Sequence, residues 1–183
     1  SQWKVPTDPF TIYFQERNGS SGKATGVELS WQQAFTFLPK PLDGFGVNLN
    51  ATFIDGSSVL EELVPGSIAT YRPFNVKFLP EQPETVYNAQ LYWEKFGFTA
   101  RVAANYIDEF VRTAGGLTSF SINNKATRWD ASLGYRVSKN LTIYLEGRNL
   151  TDEVTSWYAT TPSRPEDYTF TGAVYTGGIK FRF

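Results

Sequence analysis

Apolar and polar residues alternate through the last thirteen positions of the chain, 171–183. No other feature limits the possible folds as strongly. Successive side chains of a β-strand point to opposite faces, so a period of two describes a strand with one apolar and one polar side. Here Ala173, Tyr175, Gly177, Ile179, Phe181 and Phe183 share one face, and Val174, Thr176, Gly178, Lys180 and Arg182 share the other.

Seven earlier stretches repeat the pattern: 10–16, 23–37, 45–55, 85–94, 98–111, 126–137 and 141–148. In the second of them Val27, Leu29 and Trp31 oppose Glu28, Ser30 and Gln32; in the last, Leu141, Ile143 and Leu145 oppose Thr142, Tyr144 and Glu146. The connections are long at 17–22, 56–83, 112–125 and 150–170, and short at 38–44, 95–97 and 138–140. Long and short alternate strictly. Hairpins with loops at one end and tight turns at the other are the pattern of an outer-membrane barrel. The sequence thus predicts an all-β fold: an antiparallel transmembrane β-barrel meander of about eight strands. Part of the proline-rich connection, 68–78, is expected to extend the flanking strands. The final strand enters from a long loop, so its end lies with the tight turns, the periplasmic side of such barrels.

Composition narrows the chemistry. The chain has no His, Cys or Met. The usual transition-metal ligands, the usual general base and any thiolate are therefore missing. An oxygen-ligand Ca²⁺ or Mg²⁺ site is the one metal chemistry left open. No catalytic residue, metal site or cofactor is expected, and the chain does not read as an enzyme. Glu61–Glu62 and Glu81/Glu84 fall in the proline-rich connection, where solvated carboxylates are the better reading than an acid–base pair. A net charge of −1 supplies no field that would draw nucleic acid. Mean hydropathy is −0.31, and no apolar run nears the ~20 residues of a membrane helix. Alternating strands escape such a search because their two faces average out.

Magnitude decides which face meets lipid. The polar sides carry Arg101, Glu109, Arg128, Asp130, Arg136, Glu146, Arg148, Lys180 and Arg182. At a membrane midplane each Arg or Lys costs roughly 2–4 kcal/mol, and several together exceed the roughly 5–15 kcal/mol of a whole fold. The apolar faces are therefore the lipid faces, and the lumen carries mixed charge, with Arg–carboxylate networks expected across neighbouring strands. Aromatics near strand ends (Trp93, Phe98, Tyr106, Trp129, Tyr135, Phe181, Phe183) match interfacial girdles. The competing fold is a soluble β-sandwich, in which the apolar faces form a core. Stretches of ten or more residues favour the tilted membrane crossing over the usual strand of ~5–6.

Three stretches together resemble the TonB-dependent receptor family. Gly26-Val-Glu-Leu-Ser-Trp-Gln-Gln33, followed by Leu38-Pro and Leu42-Asp-Gly-Phe-Gly-Val47, looks like a hairpin of its barrel. Leu145-Glu-Gly-Arg-Asn-Leu-Thr-Asp152 is similar to its penultimate-strand ending. Thr176-Gly-Gly-Ile-Lys-Phe-Arg-Phe183 matches the outer-membrane terminal signal, with Thr176, Gly178, Phe181 and Phe183 in its specified places. The resemblance implies a barrel of about 22 strands closed by a plug. Residues 1–183 would be its C-terminal segment, with the plug and earlier strands absent. It implies the outer membrane of a Gram-negative bacterium and uptake of a scarce nutrient, a siderophore, carbohydrate or similar. The implied partners are outer-membrane lipid, the barrel assembly machinery, the small-molecule nutrient, and the inner-membrane TonB energy complex reached through the plug. Tyr144, Glu146 and Arg148 on a lumen face, and Trp157 and Tyr158 in the last long loop, are the candidate ligand contacts. Two alternatives remain at this stage: a small stand-alone outer-membrane barrel with an adhesive or structural role, and a soluble secreted carbohydrate-binding sandwich.

Overall fold

The computed structural model describes residues 21–67, 70–116 and 119–183. The expected strand at 10–16 lies outside them. The described residues form twelve strands: β1 Ser21–Ala34, β2 Phe45–Leu63, β3 Tyr71–Val76, β4 Thr85–Lys95, β5 Phe98–Ile107, β6 Phe110–Gly116, β7 Ser119–Asn123, β8 Ala126–Arg136, β9 Leu141–Arg148, β10 Thr155–Ala159, β11 Pro165–Thr169 and β12 Val174–Phe181. Among the described residues the only helical turn is Leu42–Gly44.

The main sheet runs β1-β2-β4-β5-β8-β9-β12, and every neighbouring pair is antiparallel. This is the meander that the connection lengths predict. The turns explain part of it. Between β4 and β5 only Phe96 and Gly97 intervene, with φ of 53° and 83°. Positive φ at both central residues is the type I′ turn, whose twist matches that of the strands it joins. The longer turn after β1 is tied down from outside, by Trp93 Nε1 donating to the Pro41 carbonyl at 3.0 Å and by a 2.6 Å Lys95–Asp43 ion pair.

Register carries each face across the wall. Leu91, Val102 and Ala131 form one apolar row. Ser30, Asn50, Asn88, Asn105 and Arg128 form one polar row. The apolar face is not covered by protein. Leu145 is 55% exposed and Ile179 70%, whereas Phe74 and Tyr158 are the only buried hydrophobic side chains among the described residues. Seven strands spaced at about 4.8 Å, over a band roughly 20 Å high, present on the order of 700 Å². A soluble monomer seldom exposes an apolar patch beyond about 300–600 Å². A sandwich would lay a second sheet on this face, and none lies there among the described residues. The solvent that suits a single wall of this kind is lipid.

Aromatics bound the apolar band on both sides. At the tight-turn end Phe45 meets Trp93 and Phe98 meets Tyr135, with ring centroids 6.4 and 4.3 Å apart. At the other end Tyr87 contacts Phe53 and stacks on Tyr106, at 5.7 and 5.5 Å. Phe98 and Tyr106 lie eight residues apart on β5. At about 3.3 Å per residue and a tilt of about 40°, that is a height of roughly 20 Å, close to the ~25 Å band of outer-membrane barrels.

Among the described residues the edges of this sheet are β1 and β12, which do not pair with each other. The described residues thus form an open, all-β segment of wall.

Three expectations need correction. The strand at 45–55 continues to Leu63, and β3 folds back on its upper half. Pro73 within β3 has no N–H for a further ladder, which suits the edge position this strand takes. The strand at 98–111 breaks at Asp108–Glu109, where the Asp108 carboxylate accepts from the Glu109 N–H at 2.9 Å. Finally, 112–125 and 150–170 are not simple loops. They supply most of a second sheet, β11-β10-β7-β6, beyond the long-connection end of the wall. Gly115-Gly116 and Asn123-Asn124 mark these stretches as loops by composition, yet the pairing of β7 with β10 satisfies their backbone.

Candidate functional site

The polar face of the wall divides into two zones. On β1 to β5 amides predominate, with Glu28, Glu94 and Arg101 among the charged residues of that face. Gln32, Asn48, Asn50, Asn88, Gln90 and Asn105 line a depression of about 280 Å³. On β8, β9 and β12 it is charged. Of the expected cross-strand Arg–carboxylate networks, Arg72 of β3 pairs with Glu62 of β2, and none forms across β5, β8, β9 and β12 among the described residues. Arg101 has Tyr92 and Ser132 as its register partners, and Arg136 has Thr142. The one ion pair here lies along a single strand, Arg148 to Glu146 at 3.7 Å, with both side chains well exposed. Alternation places cations on the lumen face but does not place carboxylates opposite them.

Tyr144, Glu146 and Arg148 project from the same face of β9. Tyr144 and Glu146 line a depression of about 510 Å³ with Lys180. Glu146 and Arg148 line a smaller one of about 140 Å³ with Arg101 and Asp130. The Tyr144 ring lies over Gly178, its register partner on β12. A Cβ on Gly178 would stand 2.5 Å from the Tyr144 hydroxyl oxygen. Gly46 holds the same relation to Tyr92. Two lumen tyrosines thus lie flat because their cross-strand partners have no side chain.

This geometry makes Gly178, one of the positions expected in the terminal signal, a packing partner of Tyr144. Gly178→Ala should destabilise the barrel by about 1–3 kcal/mol through overpacking. Gly178→Ala combined with Tyr144→Ala should recover most of that loss in urea unfolding of the full-length protein. If the double variant still fails to reach the membrane, the glycine acts in assembly. Of the other positions expected in the terminal signal, Thr176 shares the polar face opposite Glu146. Phe181 and Phe183 lie on the lipid side with their rings edge to face, 5.2 Å apart.

Trp157 and Tyr158 belong to the second sheet, apart from the β9 cluster. The Arg112 guanidinium covers the Trp157 ring at 4.1 Å, a cation–π contact. Tyr158 is 6% exposed and its hydroxyl donates to Glu109 Oε2 at 3.3 Å. Burial, and then the Glu109 charge, push its hydroxyl pKa above the ordinary value. Its place is therefore inside the sheet. The exposed aromatics of this region are Tyr168 and Phe170, stacked with centroids 6.4 Å apart. Two polar bonds tie strands together here: Ser121 to Glu166 and Arg128 to Thr155, both at 2.6 Å.

Asn149 organises the exit from β9, a role that sequence reading missed. It is 7% exposed. Its amide nitrogen donates to the Glu153 carbonyl, the Thr171 hydroxyl and the Gly172 carbonyl at 3.1 to 3.3 Å, and its amide oxygen accepts from the Glu153 N–H at 2.9 Å. Its own N–H donates to the Asp130 carboxylate at 2.9 Å. Its φ of 52° is left-handed, a region in which Asn is enriched. The Asn-Leu-Thr-Asp run thus carries a turn that joins β8, β9 and the approach to β12. The available signal was an asparagine directly after a strand, ahead of a second polar turn residue.

No metal-binding cluster of Asp or Glu occurs among the described residues. No curated protein and no solved structure matches the chain significantly. The family model described as TonB dependent receptor-like, beta-barrel matches residues 4–150. That span covers the wall from β1 to β9 and ends one residue after Asn149. With the hairpin meander, its lipid-suited apolar face and its polar inner face already in view, the match places this chain in the TonB-dependent receptor β-barrel family, a family of outer-membrane transporters.

Proposed function

We propose that this chain supplies the C-terminal wall, lumen lining and outer loops of a receptor that takes up a scarce small-molecule nutrient, a chelate or an oligosaccharide. Family membership supports outer-membrane uptake. The observation that carries the reading further is the division of labour on the wall. One face is apolar and uncovered, the other is polar and indented, and a folded sheet stands at the loop end. In this reading Tyr144, Glu146 and Arg148 receive the nutrient in the lumen. Trp157, held by Arg112, and the buried Tyr158 keep the loop sheet in shape to capture it. Thr176, Gly178, Phe181 and Phe183 address the chain to the barrel assembly machinery. Energy reaches the receptor from the inner-membrane TonB complex through a plug.

The test is uptake by the full-length receptor in cells, with labelled iron chelates and oligosaccharides offered in parallel. One class should accumulate only when both the receptor and the TonB complex are present. Glu146→Ala and Trp157→Ala should each weaken capture of that class about tenfold, or about 1.4 kcal/mol, with the receptor still in the membrane. Uptake that persists without the TonB complex would sink the reading.

A further inference from the structure

Arg136, Lys139, Lys180 and Arg182 converge at the tight-turn end of the wall. With Asn140 and Thr142 they line a depression of about 360 Å³. Arg136 and Lys180 both register with Thr142, from opposite sides, so β8, β9 and β12 present them on one face. Arg182 follows on that face two residues later. Its backbone is fixed against the turn: Asn140 Nδ2 donates to the Arg182 carbonyl at 2.6 Å, and the Arg182 N–H donates to the Asn140 carbonyl at 2.9 Å. Lys139 stands in the same turn.

None of the four pairs with a carboxylate among the described residues. Elsewhere the fold does pair its cations, as Lys95 with Asp43 and Arg72 with Glu62 show. Four like charges around one concavity repel one another and raise a positive potential that a shaped cleft concentrates. No carboxylate among the described residues offsets that potential.

We infer that this basic depression seats an acidic polypeptide segment at the periplasmic mouth of the barrel. Three features select a polypeptide over a phosphate. The cations share the lumen face with Thr176 and Gly178, while Ile179 and Phe181, the lipid-side residues of β12, point the other way. A lipid headgroup would have to round the rim to reach them. Arg136 and Lys180 arise from backbone two strand spacings apart, about 10 Å, and with Lys139 and Arg182 they spread four cations around the concavity, more charge than one phosphate neutralises. Carboxylates two residues apart on an extended chain share one face about 7 Å apart, within reach of cations that arise about 10 Å apart. The seat is also distinct from the neutral amide depression on β1 to β5, which offers no charge.

The experiment uses the full-length receptor in its own outer membrane. A photo-crosslinking amino acid at Thr142 is activated, and the adduct is identified by mass spectrometry. The expected adduct is a peptide with at least two Asp or Glu residues within about four positions. Lys180→Glu with Arg182→Glu should cut the yield about tenfold, and Lys180→Arg with Arg182→Lys should retain it. Reversing the captured carboxylates to lysine should restore the yield against the reversed barrel. Heat-modifiable migration on gels reports that each barrel has folded. A lipid adduct, a neutral or basic peptide, no adduct, or a yield indifferent to charge reversal would each overturn the inference. The adduct forms whether or not nutrient is supplied, so this result is independent of the uptake assay.

Discussion

Val102→Arg should destabilise the receptor in bilayers by about 2–4 kcal/mol, the cost of an arginine on the lipid face near the midplane. Val102 lies midway between Phe98 and Tyr106, the two aromatic bounds of β5. It is 44% exposed, in a row with Leu91 and Ala131. Ala103→Arg, one residue further, is the internal control. Ala103 faces the lumen between Gln90 and Asp130, so an arginine there meets water and a carboxylate. The loss at this site should stay within about 0.5 kcal/mol. Urea unfolding of the full-length protein in vesicles, followed by tryptophan fluorescence, measures both. Equal losses at 102 and 103 would show that the face assignment is wrong. A larger loss at 103 would show that it is inverted.

Asn149→Ala should cost about 2–4 kcal/mol by two separable routes. The first is the loss of four side-chain hydrogen bonds at a buried site, which leaves the Glu153 and Gly172 carbonyls and the Glu153 N–H without these partners. The second is the left-handed backbone, where a Cβ without a local polar partner costs roughly 1–2 kcal/mol. Asn149→Gly removes the second route and should recover about 1 kcal/mol relative to Ala. Urea unfolding gives the totals, and limited proteolysis within 150–172 shows where the damage lies. Wild-type cleavage in the Ala variant, with an unchanged midpoint, would mean that Asn149 organises nothing.

Seven of the eight expected strands fall among the described residues, and all seven are present in the predicted order. The reason is physical. Within a strand the face of each side chain depends on parity alone, so Val27, Leu29 and Trp31 can be assigned without knowing what they touch. The tight turns were equally legible, since Phe96-Gly97 and Ser138-Lys-Asn140 leave too few residues for anything but a hairpin. Contacts between distant segments were not legible. Thr160 donates to the Phe120 carbonyl across 40 positions, and Asn124 bonds Ser156 across 32. No local window holds both partners, so two stretches that read as loops fold as one sheet.

The candidate site divides in the same way. Tyr144, Glu146 and Arg148 were assigned to one face by parity, and they occupy it. Trp157 and Tyr158 were grouped as loop aromatics, but they sit differently. One is capped by Arg112 and the other is buried against Glu109. Composition marked both as aromatic, and only packing distinguishes them.

Side-chain parity and the cost of a charge in hydrocarbon suffice for the period of two, the meander and the choice of the apolar face as the outer one. Tertiary structure alone decided the rest. It laid Tyr144 across Gly178, made Asn149 the hub of the β9 exit, built a sheet from the outer connections, and left four cations at the tight-turn end without a carboxylate among the described residues. Each of these depends on which strand is the neighbour and at what register, and a period of two is silent on both.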